Sequence, residues 1–464
     1  MRKSRMKRAA ILAAALALAF AGLLPAFGVN ASAAEPEQYN HYYGLLHAHT
    51  SNSDGKGTYE DAYNMARKAG LDFFACTEHS EHWDTADNPG NLKTGGGVNG
   101  DRWTNGLAVA DKLTENGKFV AIMAYEVTWS VPETGKPFGH INVFNTPGYV
   151  STNNPRYALD GGNGGRNFYD DMGAQPTAIG QFNHPSTALP PSFGFYGTFH
   201  EFDYWTPERD SAVSLIEIGN GDSPKLLTDL RTLIRDGYAS VYLRFENSYN
   251  LALSKGWHVG PVNTQDNHNA NWGVANDHRT VILAKELTRP ALYEAMAARR
   301  VYATEDKNMK VDFTINGEVM GSILDHSPSE LNVSVKASTT TANIGRIDLV
   351  GENGKVIQSK TFLSKTADWE FTIPADQKYY YIKIGPSFTF TAPIWVNDNC
   401  RVIFDNGSSA KPVTVRRGEP VAKPADPTQK GASFQGWYVN GKPVDFGKGI
   451  LTDTVIKASW KQQN

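Results

Sequence analysis

Two histidines one residue apart, His47 and His49, close an apolar run in LLHAHTSNSDG, and Asp54 follows in the next loop. In an extended strand successive side chains alternate faces, so both imidazoles project to one side. Two such rings aimed at one point suit a divalent cation, although an isolated pair would equally fit a solvated strand end. The pattern recurs in VNTQDNH, where Asp266 and His268 stand in the same relation. Other short apolar runs each carry a donor at or near one end. These are Glu78 and His79 in FFACTEH, Glu126 in FVAIMAYE, His140 opening HINVFN, His184 after AIGQFN, and Glu217 in SLIE. Six of the 12 histidines fall at such places, which makes chance placement a poor account of them.

These runs alternate with helix-like segments from about residue 40 to 308. In TYEDAYNMARKAG, Thr58 and Asp61 are spaced as a capping pair, and Gly70 ends the helix-forming interior. PKLLTDLRTLIRDG, residues 224–237, and RPALYEAMAARR, residues 289–300, read as further helices. Strands separated by helices predict parallel βαβ units, and in such folds the C-terminal strand ends form one rim where sites are built. Residues 309–398 change to alternating apolar and polar positions with turn signals, which predicts a small antiparallel β domain. A further module occupies 400–461. The expected fold class is α/β, with a barrel or wound sheet followed by two small all-β domains.

In their order, HAHTSNSDG, TEH, the glutamate of AYE, GHINVF, NHP and DNH resemble the motifs of the PHP (polymerase and histidinol phosphatase) family of metal-dependent phosphoesterases. The resemblance covers roughly residues 41–305. It implies a distorted (β/α)7 barrel with two or three divalent ions at its C-terminal rim. Carried over by position, His47, His49, Glu126 and Asp266 would hold a first ion. Glu126 would bridge to a second, held by His140 and His184. Asp54, His79 and His268 would hold a third. Glu126, Asp266 and His268 would act in catalysis. The family usually has aspartate before the histidine of the second motif; this chain has Glu78, which is left outside the ligand set.

The chemistry expected from that resemblance is hydrolysis of phosphate mono- or diesters by a metal-bridging hydroxide. Paired cations can generate hydroxide near neutral pH, neutralise phosphoryl oxygens and stabilise the leaving oxygen. Mixed imidazole and carboxylate ligands suit Zn, Mn or Fe better than Mg or Ca. Arg279 could bind a phosphate bidentately or be a surface cation. Glu217 and His82 could serve as acid or base, or as hydrogen-bonding residues of the rim. Asn183 could orient the substrate or close a turn. The aromatic stretch FGFYGTFHEFDYW, 193–205, could stack on a planar leaving group or form a loop's own core. The Gly/Asn-rich segments at 88–106 and 148–166 could border the mouth of the site.

The N-terminus carries a different signal. MRKSRMKR, an apolar run and Ala31-Ser32-Ala33 have the layout of a secretory signal peptide over residues 1–33. Its removal takes the formal net charge from −3 to about −8, so the rest of the chain has no general attraction for nucleic acid or anionic lipid. No further membrane span is expected. Cys76 and Cys400 lie in different regions, so no disulfide is expected. Residues 400–461 resemble a single Listeria–Bacteroides repeat through VIFDNG, the Gly-Trp-Tyr core and the closing ASW. Such modules accompany exported bacterial proteins, which implies a secreted or cell-surface location and a contact with a surface or wall polymer. Two other functions fit the same residues: a non-catalytic metal-containing surface binder, and a barrel metallohydrolase acting on C–N bonds.

Overall fold

Thr58 caps the helix Tyr59–Lys68 as its spacing from Asp61 predicts: its hydroxyl accepts from the Asp61 backbone, and the Asp61 carboxylate accepts in return. The structure, a computed structural model, describes residues 38–133, 136–158, 164–185, 199–224, 226, 242–324, 328–396, 399–407, 410–439, 441–451 and 454–462. The expected signal peptide at 1–33, most of the helix expected at 224–237 and the first half of the aromatic stretch at 193–205 lie outside these residues.

The strands that matter for the site are β1 (Asn40–Leu45), β2 (Phe73–His79), β3 (Val120–Glu133), β4 (Lys136–Phe144), β5 (Ile179–Asn183), β6 (Val213–Asn220), β7 (Gly260–Asn263) and β8 (Arg279–Ala284). They lie in the order β7-β6-β5-β4-β3-β2-β1-β8. The sheet curls until its ends touch, with Asn263 of β7 donating its backbone N–H to Thr280 of β8 at 3.1 Å. The directions are mixed. β1, β2 and β3 run parallel, as do β5, β6 and β7. β4 is antiparallel to both its neighbours and β8 is antiparallel to β1. The uniform parallel βαβ pattern expected from the sequence is therefore corrected to a mixed α/β sheet with few helices among the described residues. β4 pairs antiparallel with β3, the strand that precedes it among the described residues.

Period-two alternation sends the two faces of this sheet into separate cores. Phe74 and Cys76 of β2, with Ala121 and Met123 of β3, pack beneath the helices Tyr59–Lys68 and Asp101–Leu113. Phe73, Ala75, Val120, Ile122 and Ala124 face the other core, with Leu292, Ala295 and Met296 of the helix Arg289–Ala297. Along this second face each strand changes from apolar residues to a ligand-type one, through a polar residue in β2 and β4. β2 runs Phe73, Ala75, Thr77, His79, and β3 runs Val120, Ile122, Ala124, Glu126. β4 reads in reverse, Phe144, Asn142, His140, because it is antiparallel. That reversal explains why its histidine precedes its apolar residues while the donors of β2 and β3 follow theirs.

The region 309–398 is joined to this sheet. The strand Val301–Thr304 pairs with β8 on one side and with Thr389–Thr391 on the other. From there the sheet continues through Tyr379–Ile384, Gly345–Val350 and Val356–Phe362. A second sheet, with Lys310–Ile315 and Glu330–Ser338, contributes Val311, Phe313 and Val335 to the core that also holds Val281 and Leu283 of β8. The C-terminal residues form a five-stranded sheet around Val402, Phe404, Val421, Trp437 and Ile456. Cys76 and Cys400 are both buried thiols, not joined in a disulfide.

Candidate metal centre

At the polar end of the second face, side chains from β2, β3 and β4 meet those of the loops after β1, β5 and β7. His47 Nε2 and His49 Nε2 are 3.2 Å apart. Each is 3.3 Å from Glu126 Oε2 and 3.1 Å from Asp266 Oδ1. A cation with bonds of roughly 2.0–2.1 Å needs donor separations of about 3.0 Å in an octahedron and about 3.3 Å in a tetrahedron. Each of these five separations suits donors to one such ion, and Asp266 Oδ1 is buried without a well-aligned hydrogen bond.

The other oxygen of Glu126 faces a second group. Its Oε1 lies 3.1 Å from His140 Nδ1 and 3.5 Å from His184 Nε2. One fully enclosed carboxylate thus presents an oxygen to each of two clusters. A third group forms where Asp54 Oδ1 lies 3.2 Å from His268 Nε2 and Asp54 Oδ2 lies 3.7 Å from His79 Nε2. The His49 ring packs against those of His268 and His79, with centroids 4.1 and 4.4 Å away. His79 also reaches toward Glu126, its Nδ1 lying 3.1 Å from Oε2 and 2.8 Å from Thr128 Oγ1. All nine residues expected to bind metal therefore gather in one place. Combinations of His49, Asp54, His79 and His268, of His47, His49 and Glu126, and of His79, Glu126 and His140 are each compact enough to hold a metal ion.

Two of these residues sit in left-handed backbone, His184 at φ 32° and Asp266 at φ 47°. Non-glycine residues adopt that region only when their surroundings fix them. Here the His184 N–H donates to Glu217 Oε2 at 2.6 Å, and the Asp266 N–H donates to the His47 carbonyl at 3.1 Å.

The electrostatics match the geometry. Burial pushes the His49 imidazole down, but the carboxylates of Asp266 and Glu126 outweigh it and hold the ring up at about 10. His47 is raised in the same way by Asp266, Glu126 and Glu217 against its burial. Burial raises Glu126, but His47, His79 and His140 hold it well below the usual carboxylate range. His79 is pushed down to about 3 by burial, with His49 and His140 adding to the effect. The centre concentrates negative charge that protons or divalent cations can neutralise, and the two compete.

The residues expected to touch substrate are placed differently. Glu217 has no exposed surface. It accepts from His47 Nδ1 at 2.7 Å, Thr264 Oγ1 at 2.6 Å and Asn220 Nδ2 at 2.8 Å, so it stands behind the ligands and not on the rim. Asn183 is also enclosed and donates to Glu126 Oε1 and Asn142 Oδ1, both at 2.8 Å. Arg279 is buried, and its guanidinium donates to the carbonyls of Asn276, His278 and Gly273, which ties down that loop instead of facing a phosphate. His82 alone of the four is exposed, its ring stacked toward His79 with centroids 6.2 Å apart.

Phe199 and Phe202, from the described half of the aromatic stretch, are core residues, and the Phe199 ring lies against Gly139, next to His140. The first Gly/Asn-rich segment packs on the aromatic group of Trp83, Trp103 and Tyr149, whose hydroxyl donates to the Gly96 carbonyl at 2.7 Å. Sequence reasoning missed Thr128 and Gln181. Both stand two residues from a singled-out position on the same strand, so the period-two column was the signal that could have found them.

Comparison with known proteins adds the following. The sequence profile of the Listeria–Bacteroides repeat domain matches residues 401–458, and these residues form such a repeat. No curated protein matches the chain. Among solved structures, the chain is similar to a two-domain protein from Bacteroides vulgatus containing a predicted PHP-like metal-dependent phosphoesterase. The identity is 17%, over 76% of this chain and 95% of that one, with a TM-score of 0.38.

Proposed function

We propose that this chain is an exported, metal-dependent phosphoesterase of the PHP type, hydrolysing phosphate mono- or diesters. One observation carries the reading: the buried Glu126 carboxylate turns Oε2 to His47 and His49 and Oε1 to His140 and His184. A carboxylate divided in this way is what a pair of neighbouring cations requires. His47, His49, Glu126 and Asp266 would hold one ion; Glu126, His140 and His184 a second; Asp54, His79 and His268 a third. Zn, Mn or Fe suits these donors. When bound, such ions polarise the phosphoryl group and make water acidic enough to attack it near neutral pH.

The chain's own residues prepare that chemistry. Glu217 accepts the Nδ1 proton of His47, which leaves the Nε2 lone pair aimed at the first group. Asn183 fixes the rotation of Glu126 by holding Oε1. His82, exposed beside His79, would meet the departing group of a substrate. The segment 1–33 directs export, and the repeat at 401–458 serves as a surface contact or spacer.

The test combines metal analysis with hydrolysis of bis-p-nitrophenyl phosphate and p-nitrophenyl phosphate. Metal with turnover of either ester supports the reading, and their relative rates assign the ester class. Metal without turnover makes the chain a surface binder, and activity on amides alone makes it a C–N hydrolase.

A further inference from the structure

Glu78, at the position where the chain departs from the pattern it resembles, follows the opposite face of β2 from His79 and has no exposed surface. Its carboxylate is fully engaged by one turn. Oε1 accepts from the Thr50 N–H at 2.9 Å and from Thr50 Oγ1 at 2.6 Å. Oε2 accepts from the same N–H at 3.1 Å and from Ser53 Oγ. The turn is closed by the Ser53 and Gly55 N–H groups on the Thr50 carbonyl, at 3.2 and 2.9 Å. A Cβ on Gly55 would meet the His49 and Thr50 backbone at 2.7–2.9 Å, so the chain passes too close there for a side chain.

This turn delivers Asp54 to His268 and His79. It also touches the first group, because Ser53 Oγ lies 3.4 Å from His49 Nδ1. A hydroxyl that donates to a carboxylate offers its lone pairs elsewhere. With the Ser53 hydroxyl proton held by Glu78, the oxygen can accept from His49 Nδ1–H. That tautomer leaves the Nε2 lone pair facing Glu126 and Asp266, as a metal ligand must.

We propose that Glu78 is a positioning residue that, through Thr50 and Ser53, sets both the placement of Asp54 and the tautomer of His49. One enclosed carboxylate thereby supports cation binding in the first and third groups together. The inference rests on the metal-centre reading above. Aspartate at this position would fall about 1.5 Å short, one C–C bond, and the turn would have to follow it inward.

The experiment compares Mn²⁺ and Zn²⁺ affinity, by chelator competition, in the full chain and in Glu78→Gln, Glu78→Asp and Ser53→Ala. Melting without metal establishes that each variant is folded. In Glu78→Gln the new amide N–H donates to Ser53 and reverses the relay, so binding weakens roughly 10- to 100-fold. Ser53→Ala weakens binding in the same direction, and Glu78→Asp, which keeps the acceptor, recovers part of it. Wild-type affinity in folded Glu78→Gln and Ser53→Ala overturns the inference and leaves the metal centre standing. Absence of metal binding in the wild type overturns both. If Glu78→Gln does not fold, Ser53→Ala alone decides, since it leaves the buried carboxylate untouched.

Discussion

The Nδ1 atom of His47 lies 2.7 Å from the enclosed carboxylate of Glu217, and the opposite nitrogen of the same ring faces Glu126 and Asp266. A carboxylate behind a histidine fixes its tautomer and strengthens it as a ligand. Glu217→Gln is expected to weaken divalent metal affinity by roughly 10- to 100-fold. Chelator competition measures this, and an unchanged affinity would remove Glu217 from its supporting role.

Asp266 combines a ligand function with a left-handed backbone at φ 47°. Asparagine tolerates that conformation while losing the charge. Asp266→Asn should therefore fold and melt close to the wild type when both are metal-free, yet lose ester hydrolysis by two orders of magnitude or so, as removal of a charged ligand to an essential ion implies. A variant that fails to fold would show that the carboxylate is needed for structure as well.

Lys56 is exposed and reaches Asn269 Oδ1 at 3.3 Å, linking the loop of Asp54 to the loop of His268. On the proposed reading it would meet a phosphate oxygen at the third group. Lys56→Ala should raise KM for phosphate esters roughly tenfold, about 1.4 kcal/mol, with metal content unchanged. Steady-state kinetics beside elemental analysis checks this.

His278, outside the candidate ligand set, gives a pH dependence of its own. Burial, then the neighbouring Arg279 and Arg244, push its imidazole down to about 3 from an ordinary 6.5. Between those values the unfolded chain binds a proton that the folded chain refuses, so stability is present above pH 6.5 and falls as pH drops toward 3. His278→Phe keeps a ring beside Tyr242, 4.0 Å away in the native pair, and should flatten this part of the curve. Denaturant melts of both proteins across that range measure the difference, and equal slopes would contradict the assignment.

The gathering of the nine donor residues was legible from their recurrence beside apolar runs. The pairs His47 with His49 and Asp266 with His268 pointed to it, although both lie just beyond their strands and Asp266 sits in left-handed backbone. The residue pattern alone did not separate Glu126 from Glu217; the resemblance did. Both follow apolar runs, and the packing puts Glu217 behind His47 and Glu126 among the rings. Strand direction was also hidden. β4 pairs antiparallel with β3, yet the surrounding βαβ pattern favours a parallel strand. Arg279 misled for a related reason. A cation near a candidate phosphate site reads as a ligand, but here backbone carbonyls take up the guanidinium.

The central claim is that Glu126 joins two cation sites. Anomalous diffraction from crystals soaked in Mn²⁺ or Zn²⁺ tests it most directly. The account predicts one peak enclosed by His47, His49, Glu126 and Asp266, and a second beside the other oxygen of Glu126, between His140 and His184. Soaked crystals with no peak on either side of Glu126 would contradict it.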